Sequence, residues 1–571
     1  MANAKATTKS KTTTKKSAAS TAKNDVAKST KKPVASGAKK SKGGSNNNKN
    51  SASTAVKAKG KKSKGGLIIG LIVAAIIAIA GIAVALFCLN KPDASDPTAK
   101  LDYSNAFFIY DNGEYSLWNK NGQRLSEDTF RIQSSFVGGY AMVKKDNQYG
   151  IISDSGRMSV DYGKYGSIEA KGGLYLAEDG NTKEKYLITG SGRVLEKGEE
   201  IDVDSPSSTS GFAVAIANGK VRVYNYAGTL IIETEYLGDD KDEPDTNSMS
   251  EYGMMHYGDK NWVFDTRAGN VVATFDGPRF TFDSVSDDRT MVLLEDYENS
   301  EKYKLIANGK LYDLEETKYY GMTDLNNVIG YDNFEEMALL DKDYKVAKRV
   351  DPYIQLKDID NYVTRNEDGG VEIYHNGQKV KEFGEEANVP ISGLLYNDYY
   401  AIEEEQGKIR FYSLDGTPLF DKTFNAVAVL SDMNNNSVVS ETEDEFYVMN
   451  KKGEKTSDVV AKRITPTEGG YSAKNSDGKY AVLKKDGKPA TDFKYKDVSY
   501  RNIAEPNHIW VGFLDEEKAD VIDVDRNKVI IENVALEGFY THYFTVKNDN
   551  GDIEYYTLDG KLFYTKEKEK K

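Results

Sequence analysis

The chain has 571 residues, a formal net charge of −13 and a single cysteine, Cys88. One cysteine excludes an intramolecular disulfide framework and a cysteine-based zinc cluster, and the four histidines (His256, His375, His508, His542) are scattered far apart. The net charge hides a polarity. Residues 1–66 hold 18 Lys, no Arg and one acidic residue, Asp25, whereas the rest holds 58 basic and 88 acidic residues. So acidic a remainder argues against broad binding of nucleic acid or anionic lipid there, and for solubility or attraction of cations and basic partners.

In chain order, residues 1–66 contain no aromatic residue and almost nothing to bury, which predicts a disordered Lys-rich tail. Such a tail can lie on an anionic inner leaflet, each juxtamembrane Lys contributing about 1 kcal/mol. It can instead neutralise nucleic-acid phosphates without reading sequence, or serve only as a topology signal.

Residues 67–89, LIIGLIVAAIIAIAGIAVALFCL, are uncharged and apolar throughout. About 20 such residues suffice to cross a bilayer as a helix, and the run exceeds the h-region of a cleaved signal peptide. Phe87 stands where a lipobox preceding Cys88 needs a small residue. The run therefore reads as a signal-anchor transmembrane helix. Lys61, Lys62 and Lys64 at its start predict a cytoplasmic N-terminus and an extracytoplasmic C-terminal part. Gly66, Gly70, Ala74 and Ala78 recur every fourth residue, a stripe through which the helix could dimerise. Residues 90–104 read as a linker.

The remaining chain repeats a phrase: a few β-formers, a polar turn ending in Gly, then another apolar strand. Copies include SLWNKNGQRL from 116, YGIISDSGRMS from 149, YLITGSGRVL from 186, VEIYHNGQKV from 371, IRFYSLDGTPLF from 409 and IEYYTLDGKLF from 553. The turn glycines are Gly122, Gly156, Gly192, Gly228, Gly269, Gly309, Gly377, Gly416, Gly453, Gly487 and Gly560. MALLDKDYKV near 337 and DVIDVDRNKV near 520 read as copies that lost the glycine. Together these predict an all-β array of about 13 units of roughly 36 residues. Asp-Gly, Asn-Gly and Ser-Gly pairs supply the positive φ of tight hairpins. Ile409 and Phe411 alternating with Arg410 and Tyr412 predict a half-buried strand. Three or four strands per unit is about one propeller blade, and 13 exceed an ordinary ring of roughly four to eight. The expectation is two β-propeller-like domains, 105–350 and 351–571; the alternatives are one ring with extra hairpins or an open hairpin array.

The stretch YAMVKKDNQYGIISDSGRMSVDYGKYGSI, Tyr140 to Ile168, resembles a bacterial WG repeat. Tyr149 stands in the Trp position, Gly150 matches, and Gly156-Arg157 stands for Gly-Lys. YAVLKKDGKPATDFKYKDV from Tyr480 is a weaker match lacking the leading glycine. The resemblance implies a β-rich, propeller-like binding module with no shared catalytic residues.

No phosphate-binding Gly-rich loop, H-E-x-x-H or G-x-S-x-G occurs, and no residue is selected as catalytic, cofactor-binding or metal-binding. NDNGDIE (Asn548 to Glu554) and DVDRN (Asp523 to Asn527) space oxygen ligands as calcium loops do, but they fall at the repeat's own turns, where Asp, Asn and Gly belong anyway. The 38 tyrosines suit recognition surfaces, and suit half-exposed strands equally well. Tyr319-Tyr320, Tyr399-Tyr400 and Tyr555-Tyr556 should each place one ring on either strand face. The sequence thus predicts a membrane-anchored, non-enzymatic binding or scaffold protein that recognises a protein or glycan outside a bacterial cell. The alternatives are a carbohydrate-active enzyme on the same scaffold, or a tether from the envelope to inner leaflet or nucleic acid.

Overall fold

The structure is a computed structural model and describes residues 104–238, 243–323, 325–332, 336–352, 354–390, 398–428, 436–501 and 508–568. All belong to one compact unit, Phe87–Lys571. The predicted tail, transmembrane run and most of the linker lie outside the described residues. Among those described there is no helix, hence none long and apolar enough to cross a membrane. The described residues are all-β and build many small antiparallel sheets, as the repeat pattern predicts.

Strands pair with their sequence neighbours within every sheet. Numbered in chain order, sheets 1 to 8 span 106–130, 132–160, 167–198, 202–235, 245–276, 280–314, 319–350 and 355–382. Sheets 9 to 11 span 399–413, 426–450 and 463–483. The twelve-residue strand Lys528–Phe539 is shared. Its first half pairs with Ala519–Asp523 to finish sheet 12 (497–534), and its second half pairs with Tyr543–Lys547 to begin sheet 13 (535–566).

The turn before the last strand of each unit carries the repeat signature. All eleven glycines named from the sequence have positive φ, from +69° to +89°. The two copies without glycine place Tyr344 (φ 58°) and Asn527 (φ 53°) at the same position, so both are true members of the array. Most of these turns are three-residue loops. In one, Gly156 N–H donates to Ser153 O (2.9 Å) and Ser153 N–H to Arg157 O (2.8 Å), and the register shifts by one residue beside it, as a glycine bulge requires. Asn308-Gly309 and Asn376-Gly377 instead form two-residue turns with both φ values positive.

Gly156 is needed twice over. Besides its φ of +81°, a Cβ there would lie 2.1 Å from the carbonyl oxygen of Leu125 in the preceding sheet. The same approach of a turn glycine to the preceding unit recurs at Gly228, Gly453 and Gly487. Polar bonds follow the same path. Ser159 Oγ donates to Gly190 O (2.6 Å), Arg193 Nη2 to Gly228 O (2.9 Å) and Ser457 Oγ to Gly487 O (2.8 Å).

Among the described residues, thirteen buried apolar clusters fill the seams between successive sheets. Sheets 1 and 2 share Leu117, Phe130, Val143 and Ile152; sheets 2 and 3 share Ile151, Ile168 and Ile188. Ile151 and Ile152, adjacent in sequence, thus serve opposite seams, because side chains alternate across a strand. Strands buried on both faces carry continuous apolar runs such as MVLL from Met291. Tyr412 therefore corrects the half-buried reading of its strand. It is 1% exposed, in the seam with sheet 8, while Phe411 packs towards sheet 10. The expected boundary near residue 350 falls between sheets 7 and 8, which share Ile329, Leu339, Ile354 and Tyr362. The thirteenth cluster joins sheet 13 to sheet 1 through Ile109, Trp118 and Tyr555. A Cβ on Gly122 of sheet 1 would meet Phe563 of sheet 13 at 2.5 Å, and Lys561 Nζ donates to Asn121 O (3.3 Å). Both contacts repeat those between interior neighbours.

Candidate functional site

In a four-stranded meander the first and third turns lie at the same end of the sheet. At that end, a cavity of about 260 Å³ opens between sheets 7 and 8. Its apolar lining comes from Val328, Ile329, Leu339, Leu340, Leu356 and Ile359, and its polar groups include Asn326, Asp341, Lys342 and Asp358. The third turn of sheet 8, Asn376-Gly377, is one of the two-residue turns. A Cβ on Gly377 would meet only Asp360 of its own sheet, whereas the longer glycine turns elsewhere close on the preceding unit. Tyr344, standing in for the turn glycine of sheet 7, turns its ring onto Tyr312 of sheet 6 at 4.7 Å and also lines the cavity.

Both cavity carboxylates are held in place. Asp341 Oδ1 accepts the backbone N–H groups of Asp343 (2.8 Å) and Lys345 (3.0 Å), and the bonds from Lys345 and Asp343 hold its pKa below the ordinary value. Asp358 accepts Asp360 N–H (2.9 Å) and the Asn361 side-chain amide (2.8 and 3.0 Å). Asn361 Oδ1 in turn accepts from His375 Nδ1 (2.7 Å) and from Asn376 N–H (3.2 Å). The Asn376 side-chain amide lies 2.9 Å from His375 Nε2. Lys342, by contrast, is 89% exposed at the side chain and pairs with Asp343 at 3.4 Å. The cavity lining thus combines aliphatic side chains with two oriented carboxylates.

The calcium-like stretches are built as turns. Asn548 Oδ1 accepts N–H groups of Asn550 and Asp552, its amide donates to Glu554 (3.0 Å), and Asp523 Oδ1 accepts Arg526 N–H (2.9 Å). Among the described residues no group of three or more His, Cys, Asp or Glu is placed to hold a metal ion. The four histidines lie in sheets 5, 8 and 13 and at the edge of sheet 12.

Many tyrosines belong to the frame. Each consecutive pair splits as expected: Tyr320, Tyr400 and Tyr555 are buried while Tyr319, Tyr399 and Tyr556 are more open. Hydroxyls of buried and half-buried rings end on carboxylates, among them Tyr495 on Asp520 (3.0 Å), Tyr374 on Glu372 (2.9 Å) and Tyr556 on Glu554 (2.7 Å). Lysines cover several ring faces, as Lys381 does over Tyr412 (4.4 Å).

No family model matches the sequence, and no curated protein matches it. Solved structures similar to parts of the chain include a eukaryotic initiation factor, at 10% identity over 56% of this chain and 96% of that one, with a TM-score of 0.24. Another is apo AztD from Citrobacter koseri, at 14% identity over 49% of this chain and 93% of that one, with a TM-score of 0.25. Neither overlap is close enough to assign a fold or a role.

Proposed function

We propose that this protein is a membrane-anchored scaffold whose array binds a protein or glycan partner outside the cell. The array is read as β-propeller-like, with the WG-like stretch Tyr140 to Ile168 as one of its units. A single closed succession of thirteen units is preferred to two bodies meeting near residue 350. Two bodies would pair sheet 7 with sheet 1 and sheet 13 with sheet 8. The observation that carries the preference is the contact of Gly122 with Phe563, which repeats across the chain's two ends the packing of interior neighbours. Closure leaves no exposed terminal seam and turns the loops into the variable surface on a rigid frame.

Anchoring rests on the apolar run 67–89 and the lysines before it. The tail is assigned to the anionic inner leaflet. The test is capture of partners by the full-length protein from detergent-solubilised envelope, scoring proteins and glycans separately. A saturable partner supports the scaffold reading. Retention no better than that of a charge-matched control protein overturns it. Class averages by electron microscopy with two bodies in place of one closed array overturn the single succession.

A further inference from the structure

We propose that the cavity between sheets 7 and 8 is a socket for a primary alkylammonium, presented as a lysine side chain on a partner protein. The inference rests on the scaffold reading above and names the chemistry of its partner. Three observations carry it. The volume of about 260 Å³ lies below the roughly 300–1,000 Å³ of typical small-molecule pockets, so it suits one side chain better than a cofactor or an oligosaccharide. Half of its lining residues are aliphatic, among them Val328, Ile329, Leu339 and Ile359, and match the methylene stem of a lysine, which packs on apolar surface while its head stays polar. Asp341 and Asp358 are each fixed by their own turn, and carboxylate oxygens keep lone pairs for further donors after the turn bonds are made.

Charge agrees with shape. The chain after residue 66 carries 30 more acidic than basic residues, a field that draws basic partners. Among the described residues the one cation lining the cavity, Lys342, is 89% exposed at its side chain and is paired with Asp343.

The test uses the full-length protein in detergent micelles with three probes of equal length: n-pentylammonium, n-pentanol and pentanoate. Saturation-transfer NMR should detect pentylammonium, weakened by added salt, and neither of the others. A short peptide with one internal lysine should bind more tightly than pentylammonium. Free amine binding more tightly than the peptide overturns the assignment to a partner protein. Asp341→Asn keeps the oxygen that caps the turn and removes the charge, and should weaken binding about three- to tenfold. Ile359→Trp fills the cavity from a partly exposed turn and should abolish binding with an unchanged melting temperature. Should that variant melt early, Lys342→Glu at the exposed mouth serves instead and should tighten binding several-fold. Pentanol binding as well as pentylammonium, or Asp341→Asn and Lys342→Glu both binding as wild type, overturns the proposal. An envelope partner retained equally by wild type and Ile359→Trp overturns the socket and leaves the scaffold reading intact.

Discussion

Tyr564 donates its hydroxyl to the carboxylate of Asp111, 453 residues earlier in the chain. Lys566 adds an ion pair to the same carboxylate at 3.1 Å. Around them Phe107 stacks on Tyr543 at 5.0 Å, and Trp118 leans on Phe563 at 5.2 Å. The last sheet is thereby held to the first by a polar clamp set in an aromatic seam.

That clamp makes the seam acid-sensitive. Burial pushes the Asp111 pKa up, but bonds from Tyr564 and Lys566 and the charge of Lys566 outweigh it, so the pKa lies below the usual value. A pKa lowered by folding gives stability that is present above the unfolded value, near 3.9, and lost as pH falls through the folded value. Melting temperatures of wild type and Asp111→Asn should therefore converge as pH falls from 5 to 3. At pH 7 the variant should be less stable by about 1–2 kcal/mol. A constant gap across that range would contradict the clamp.

Tyr362 and Tyr374 stack at 4.7 Å and titrate late. Burial raises both to about 12, aided at Tyr374 by its bond to Glu372. The sign is opposite to that of Asp111. A phenol whose pKa is raised by folding gives stability that is full below about 10 and disappears as pH rises towards 12. Absorbance at 295 nm should show a fraction of tyrosines resisting ionisation at pH 11 and then ionising as the protein unfolds. Tyr374→Phe should reduce that late fraction.

Gly156 and Gly113 separate backbone strain from contact. Their φ values are +81° and +86°, but a Cβ on Gly113 would meet nothing within 4 Å. Gly113→Ala should cost about 1 kcal/mol for the left-handed backbone alone. Gly156→Ala must also displace the Leu125 carbonyl and should cost more than about 3 kcal/mol. Chemical denaturation of the two variants gives the comparison directly.

Tyr344 poses a contest of two effects. Glycine there would relieve a left-handed residue, worth about 1–2 kcal/mol. It would also lose the ring on Tyr312 and its contact with Met291 Sδ at 3.8 Å, where burying an aromatic side chain and pairing it are together worth roughly 2–4 kcal/mol. Packing should win, so Tyr344→Gly is expected to lower stability by about 1–2 kcal/mol in a thermal melt.

The repeat was legible because its signal is local. A positive φ at one turn position is written as glycine, and even the two exceptions kept the surrounding phrase. Burial on both faces was not legible at Tyr412, because period-two reasoning treats the solvent face as given, whereas here another sheet occupies it. The cavity had no motif to find. Val328, Leu339, Asp341 and Asp358 belong to separate turns and strands, and no local signal tells them that they will share one opening. The clamp of Asp111, Tyr564 and Lys566 is equally silent in sequence, since nothing local tells a carboxylate that the far end of the chain will return to it.

The strand Lys528–Phe539 ties two registers together. Its backbone runs on through a bulge at Asn533 (φ 53°) and another between Leu536 and Gly538, so a slip by one residue would misplace these bulges and break the pairing of both of the last two sheets at once. A mispaired intermediate there is penalised twice. Sheets 12 and 13 should therefore order in a single step, and residues 528–566 would set their own alignment before they meet sheet 1.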